Sequence, residues 1–246
     1  MIDTTGWPYV DGYRARIGLI TPAPGSSTEW EFNHYKPNGV AVLTTRVPLF
    51  GISYEGISKM LTYIDQAALM LSESSIVDVI LFSCTAGSFI NGLAYDRELI
   101  RHLEEITNVK ATTTSSCVLK AMNTLDIHSI DLVTPYAAAV NDLEKAFLES
   151  AGIQIHNIDG AFLDISQNTP KLPASVMADL ARSTVSADSD AVFISCTGLH
   201  VDSVIEPLEK EFGKPVLTSN QCGLWGALRT AGINDPIAVL GQLFLH

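Results

Sequence analysis

The sequence predicts an α/β protein of two pseudosymmetric lobes, each a doubly wound parallel sheet, with a cleft between them. Two observations carry this expectation. The first is internal duplication. DVILFSCTAG at 78–87 returns as DAVFISCTG at 190–198, and RIGLITP at 16–22 returns as SIDLVTP at 129–135. KATTTSSC at 110–117 returns, less cleanly, as KPVLTSNQC at 214–222. The pairs are offset by 112, 113 and 104 residues and keep the same order, the mark of a repeated unit of roughly 110 residues. The second is alternation. Short runs rich in Val, Ile and Thr are separated by helical patterns, which implies parallel strands joined by right-handed crossovers.

The first unit places strands near 16–22, 39–45, 77–83 and 110–114, and the second near 129–135, 153–158, 190–195 and 215–218. Their near-continuous apolar character is that of strands buried on both faces. Helices are expected over 55–74, 96–106 and 141–152, where apolar residues recur at three and four, with Gly152 as a stop. A helix is also expected to open at each of Cys117 and Cys222, after the last strand of each unit. The first lobe is read as 1–122 and the second as 123–222. The C-terminal 223–246 is expected to pack back and complete the first lobe.

The chain has 246 residues, 47% of them hydrophobic, enough for a sizeable core. A net charge of −12 repels phosphate backbones and anionic lipid, so neither nucleic acid nor a membrane is an expected partner. No signal pattern opens the chain and no apolar run approaches 18 residues. Cys84, Cys117, Cys196 and Cys222 show no CxxC and no metal-type Cys/His spacing, so no metal is expected and reduced thiols in the cytoplasm fit.

Ligands of open parallel sheets bind beyond the carboxyl ends of the strands. Both Ser-Cys-Thr motifs fall at such ends, which would put Cys84 and Cys196 on opposite walls of one cleft. A cysteine between a strand and a following helix meets backbone N–H groups and a positive dipole end, and both favour thiolate. Two such thiols across a planar carbon suit proton transfer on opposite faces, or addition of one thiolate to a double bond. Neither scheme calls for a cofactor. The plainer reading of a free cysteine is a small buried hydrophobe, and for Cys117 and Cys222 that reading is preferred.

These motifs resemble the aspartate/glutamate racemase superfamily, in particular its arylmalonate decarboxylase and maleate cis-trans isomerase branch. The resemblance runs from RIGLITP to CGLWGALRTAG and rests on the IGLI-x-P strand, the first Ser-Cys-Thr, a Thr-Pro-Tyr at 134–136 and a second Ser-Cys-x-Gly. It implies cofactor-independent chemistry beside a carboxylate, with a small carboxylic acid as substrate, and it is compatible with a homo-oligomer. Racemases and maleate isomerases of the group use both cysteines. The decarboxylases keep the second alone, as proton donor, with Gly at the first position. Having both Cys84 and Cys196 therefore points to a racemase or cis-trans isomerase. An arylmalonate-type decarboxylase using Cys196 is the first alternative, and a two-lobed carboxylate-binding module without chemistry is the second.

The resemblance further implies substrate contacts from Thr85 and Ala86, from Thr197 and Gly198, and from the Tyr136 hydroxyl. Pro22 ends the first strand and leads through Ala23 and Pro24 to Gly25. Maleate isomerases carry an Asn at the position of Gly25, so this first loop is decarboxylase-like, as is RVPLFGISYEGI at 46–57.

Other residues have smaller claims. His200 lies one helical turn after Cys196 if a helix starts there. Asp202 reads as a solvated face, and Glu29 and Glu31 as helix-start or surface carboxylates. Arg14, Arg16 and Arg46 read as salt-bridge partners before substrate ligands. Trp30, Trp225 and Phe50 suit either core packing or a pocket wall.

Overall fold

The computed structural model describes residues 6, 7, 10–73, 76–161 and 166–246. Residues 1–5, which open the N-terminal stretch read for a signal, and Ser74, at the end of the expected 55–74 helix, lie outside them. All eight expected strands are present. β1 (Ala15–Pro22), β2 (Val40–Val47), β3 (Val79–Phe82) and β4 (Lys110–Thr113) form one parallel sheet in the order β2-β1-β3-β4. β5 (Ser129–Thr134), β6 (Gln154–Gly160), β7 (Ala191–Ile194) and β8 (Val216–Thr218) form a second in the equivalent order β6-β5-β7-β8.

Equivalent residues of the repeats do equivalent work. Asp78, before β3, accepts the Arg16 N–H at the start of β1 (2.7 Å), and Asp190, before β7, accepts the Ser129 N–H at the start of β5 (2.8 Å). Thr113 and Thr218 cap the helices that follow β4 and β8, each hydroxyl accepting the N–H three residues on. Such a cap contributes about 1 kcal/mol.

The helices are α1 (Ser26–Tyr35), α2 (Tyr54–Leu61), α3 (Ile64–Glu73), α4 (Thr85–Phe89), α5 (Gly92–Thr107), α6 (Thr114–Thr124), α7 (Ala138–Ser150), α8 (Ala174–Thr184), α9 (Ile205–Phe212) and α10 (Ser219–Thr230). The stretch expected as one helix over 55–74 is two. At the junction the Thr62 and Tyr63 N–H groups bond to carbonyls three residues back, and the Thr62 hydroxyl takes the Lys59 carbonyl. This local competition ends α2.

One apolar core runs through both sheets, with Phe32, Phe82, Phe89 and Phe193 among its fully buried side chains. Burying a side chain of that size contributes about 1.5–3 kcal/mol. A smaller cluster lies under α8. α10 packs against α6, β3 and β4 as well as β8. The approach of α6 to α10 requires a glycine: a Cβ on Gly226 would lie 2.3 Å from Cys117 Sγ.

Candidate active site

β3 runs fully buried to Phe82, and Ser83 carries the chain to Cys84, the N-cap of α4. The Cys84 Sγ accepts the Gly87 N–H at 3.3 Å. The first N–H groups of a helix have no partner four residues back, so those of Thr85 and Ala86 are available at the cavity wall. The carbonyls of this turn are held on the other side: Ser88 donates to Cys84 and Thr85, and Ser115 from α6 to Thr85.

The second motif departs from the expected helix. Cys196 has φ of +116°, and it is followed by a turn and then a 3-10 segment, Asp202–Val204. Its Sγ accepts the Gly198 N–H at 3.3 Å. Gly198 must be glycine, since a Cβ there would lie 2.9 Å from Thr169 Cγ2. Again the carbonyls are clamped from behind. The Thr28 hydroxyl shares its proton between the Thr197 carbonyl and the Asn220 side-chain oxygen, Ser27 donates to the Gly198 carbonyl, and the Asn220 amide donates to the carbonyls of Thr197 and Leu199. Glu31 accepts from the same amide at 3.0 Å.

Ser219, the first residue of α10, joins the two turns. Its Oγ accepts the Thr85 hydroxyl and the Cys196 N–H, each at 2.9 Å. Tyr136 is buried, and its hydroxyl lies beside the Cys196 thiol, where it favours the thiolate.

These turns meet at one cavity of about 50 Å³. The candidates Cys84, Thr85 and Ala86 line it, as do Cys196, Thr197 and Gly198, and so do Pro22, Gly25 and Tyr136. The structure adds Pro24, Leu49, Ile52, Ile57 and Pro170, which make most of the wall apolar, and Thr169, whose buried hydroxyl has no partner. Leu49, Ile52 and Ile57 fall in the 46–57 segment singled out in the sequence. Pro24 lies in the first loop, and Thr169 and Pro170 carried no signal. The first loop is held by Arg46, which donates to the Ala23 and Gly25 carbonyls and pairs with Glu29.

The expected thiolates are not found. Burial pushes Cys84 up to about 12, against the Gly87 N–H that favours the anion. It pushes Cys196 up to about 11, against the Tyr136 hydroxyl and the Gly198 N–H. Desolvation outweighs the local donors, so both rest as thiols. Cys117 and Cys222 are buried away from the cavity, as expected.

The smaller candidates fall elsewhere. Glu31 and Asp202, read as surface acids, are buried: Glu31 on Asn220, and Asp202 on the Tyr35 hydroxyl at 2.6 Å. His200 does not line the cavity. Its ring faces Trp30 and it pairs with Asp202 at 3.3 Å. Arg14, Arg16 and Arg46 pair with Asp235, Asp78 and Glu29. Trp30 and Phe50 are exposed, Trp225 is buried, and none of the three reaches the cavity. Among the described residues, Glu31, His200 and Asp202 alone bring three metal-ligand atoms together, within 4.8 Å, behind the second turn, with Glu31 and Asp202 already bonded to Asn220 and Tyr35.

Two parallel-sheet lobes with a cysteine beyond the strand ends of each define an enzyme of the aspartate/glutamate racemase type, cofactor-independent and built on cysteine. The chain belongs to the arylmalonate decarboxylase family, whose model matches residues 17–244. It is 26% identical to arylmalonate decarboxylase of Bordetella bronchiseptica over 218 residues, 88% of this chain and 90% of that protein. It is likewise 26% identical to maleate isomerase of Nocardia farcinica over 239 residues, 92% of this chain and 93% of the other. A solved structure of the Nocardia farcinica maleate cis-trans isomerase, a cysteine-to-serine variant with a covalently bound succinylcysteine intermediate, shares the fold. Its TM-score is 0.90 at 21% identity, covering 94% of this chain and 98% of that one.

Proposed function

We propose that the protein is a cofactor-independent isomerase that moves a proton at the carbon beside the carboxylate of a small acid, with Cys84 and Cys196 as its two catalytic residues. One observation carries this reading: a thiol from each sheet reaches the same cavity, and each is flanked by its own backbone donors.

In the proposed reaction one cysteine releases its proton to water as substrate docks, and the thiolate so formed takes the Cα proton and becomes a thiol again. The electron pair moves onto the carboxylate as an enediolate. N–H groups of Thr85, Ala86, Thr197 and Gly198 and the Tyr136 hydroxyl hold that charge, and a donor of this kind is typically worth about 3 kcal/mol in the transition state. The facing thiol gives a proton to the opposite face, so one proton leaves and one is added. Pro22 and Gly25 would close the far wall.

The apolar lining by Leu49, Ile52 and Ile57 suits an acid with one apolar substituent. Gly25 supplies no side chain for a second carboxylate. The covalent succinylcysteine in the Nocardia relative supports a second reading, in which the Cys84 thiolate adds to a cis double bond and Cys196 protonates the adduct. After rotation about the new single bond, Cys196 takes a proton back and the C–S bond breaks to release the trans acid and the Cys84 thiolate. Decarboxylation with Cys196 alone would leave Cys84 without a role. The same proposal divides the chain at 122/123, with 223–246 completing the first lobe. It also places the four free thiols in the reducing cytoplasm.

The test is incubation in deuterated water with a panel of small mono- and dicarboxylic acids, read by proton NMR and chiral chromatography. Loss of the Cα–H signal with racemisation is expected, and Cys84→Ala and Cys196→Ala should each abolish racemisation. If either variant racemised at near wild-type rate, the paired mechanism would be wrong.

A further inference from the structure

The two Ser-Cys-Thr motifs are sequence copies, but the fold backs them differently. In the first, the Ser83 hydroxyl is buried without a hydrogen-bond partner. In the second, the Ser195 hydroxyl donates to Oε1 of Glu144, a carboxyl from the middle of α7 that is 1% exposed. Glu144 Oε2 has no partner.

α7 packs against α4, α5 and β6. α4 carries no titratable side chain, and neither the charged side chains of α5 nor His156 and Asp159 of β6 bond to Glu144. Glu144 is joined to the second motif through Ser195, the chain neighbour of Cys196, and its charge pushes Cys196 and Tyr136 up, whereas Ser83 beside Cys84 bonds to no carboxyl. An ionised carboxylate here would keep one oxygen on a single hydroxyl and the other on nothing, which is costly in a buried site. Burial accordingly pushes Glu144 up to about 8, so it is mostly a neutral acid at pH 7.

We propose that Glu144 is a positioning residue that makes the two thiols inequivalent: once ionised, it sets a negative charge behind Cys196 and Tyr136, keeps Cys196 protonated, and leaves Cys84 untouched. Rising pH then biases the pair toward the form in which Cys196 is the proton donor. The inference rests on the proposed acid–base pair, but its test needs no substrate, so failure of one is distinguishable from failure of the other.

The test is the rate of iodoacetamide alkylation of each cysteine in the whole protein from about pH 6 to about pH 10, resolved by peptide mass spectrometry. Log rate should rise with unit slope wherever thiolate is the minor form. For Cys196 the plot should flatten near pH 8 and resume on a lower line, while the Cys84 plot stays straight. Glu144→Gln, which keeps an acceptor for Ser195, should remove the flattening and raise the Cys196 rate above it by about threefold or more, as loss of a like charge requires. Plots of the same shape for both wild-type cysteines, or a Gln variant that shifts both alike, would overturn the proposal. The wild-type curves decide alone if circular dichroism shows the variant unfolded.

Discussion

Cys196 occupies a backbone conformation that L-residues avoid. Among the described non-glycine residues, only Asn108 and Asp126 share a positive φ, and both are short polar residues that tolerate it. At +116° Cys196 lies further out, where strain of about 1–3 kcal/mol is typical. The surroundings impose it: Ser219 holds the Cys196 N–H, while Thr28 and Asn220 hold the next carbonyl. Cys196→Gly is therefore expected to raise stability by about 1 kcal/mol in urea unfolding while abolishing turnover. Asn220→Ala should act the other way. It frees the Thr197 and Leu199 carbonyls and leaves buried Glu31 without its donor, for a loss of about 1–3 kcal/mol in the same unfolding measurement. Of these residues the cysteines and their following threonines were legible because a repeated motif marks them, and Tyr136 only through the family resemblance of its Thr-Pro-Tyr. Glu31, Asp202 and Glu144 were not, because acids are almost always exposed and nothing adjacent in sequence says otherwise.

Strands were easier to read than helices, for a physical reason. A strand buried on both faces is a continuous apolar run, and β3 (VILF) and β7 (AVFI) read as nothing else. α1 presents Ser27, Thr28 and Glu31 to the interior because its inner face serves carbonyls of the second turn, so its pattern resembles no amphipathic helix. α2 and α3 merged in the reading because their apolar spacing continues across Thr62 and Tyr63, where only hydrogen bonding breaks. α6 and α10 pack closely together, and at Gly226 against Cys117 they leave no room for a Cβ. Gly226→Ala should force the two helices apart at a cost of about 1–3 kcal/mol, since overpacking cannot relax in a closed core. Adding Cys117→Ala should recover much of it. A thermal-melt series of the two single variants and the double variant reads this directly, and additive losses would show that the contact does not limit the packing.

On the scale of the whole molecule, stability should peak on the acid side of neutrality. Burial raises both Glu144, to about 8, and Glu31 above their ordinary value of 4.5. The unfolded chain ionises these groups near 4.5, so the stability they allow is complete below that pH and is lost as pH rises through their folded values. Asp190, bonded by the His128 and Ser129 N–H groups, and Asp235, bonded by Arg14, are shifted down, and their contribution disappears only at lower pH still. A net charge of −12 adds self-repulsion at high pH. Unfolding free energy should therefore fall from about pH 5 to about pH 8, and Glu144→Gln should flatten part of that slope by an amount on the order of a few kcal/mol. An unchanged slope would show that Glu144 is not the group that titrates. Local pattern was enough to establish the repeat, the eight strands and the placing of a cysteine beyond the end of β3 and of β7, because hydrophobic periodicity is a property of neighbours in the chain. The partners of the site needed the folded molecule. Glu31 meets Asn220 across 189 positions, Ser219 meets Thr85 across 134, and Glu144 meets Ser195 across 51. The ionisation of the thiols depends on such distant neighbours too. Desolvation sums over everything within a few ångströms, and most of what surrounds Cys84 and Cys196 comes from elsewhere in the chain.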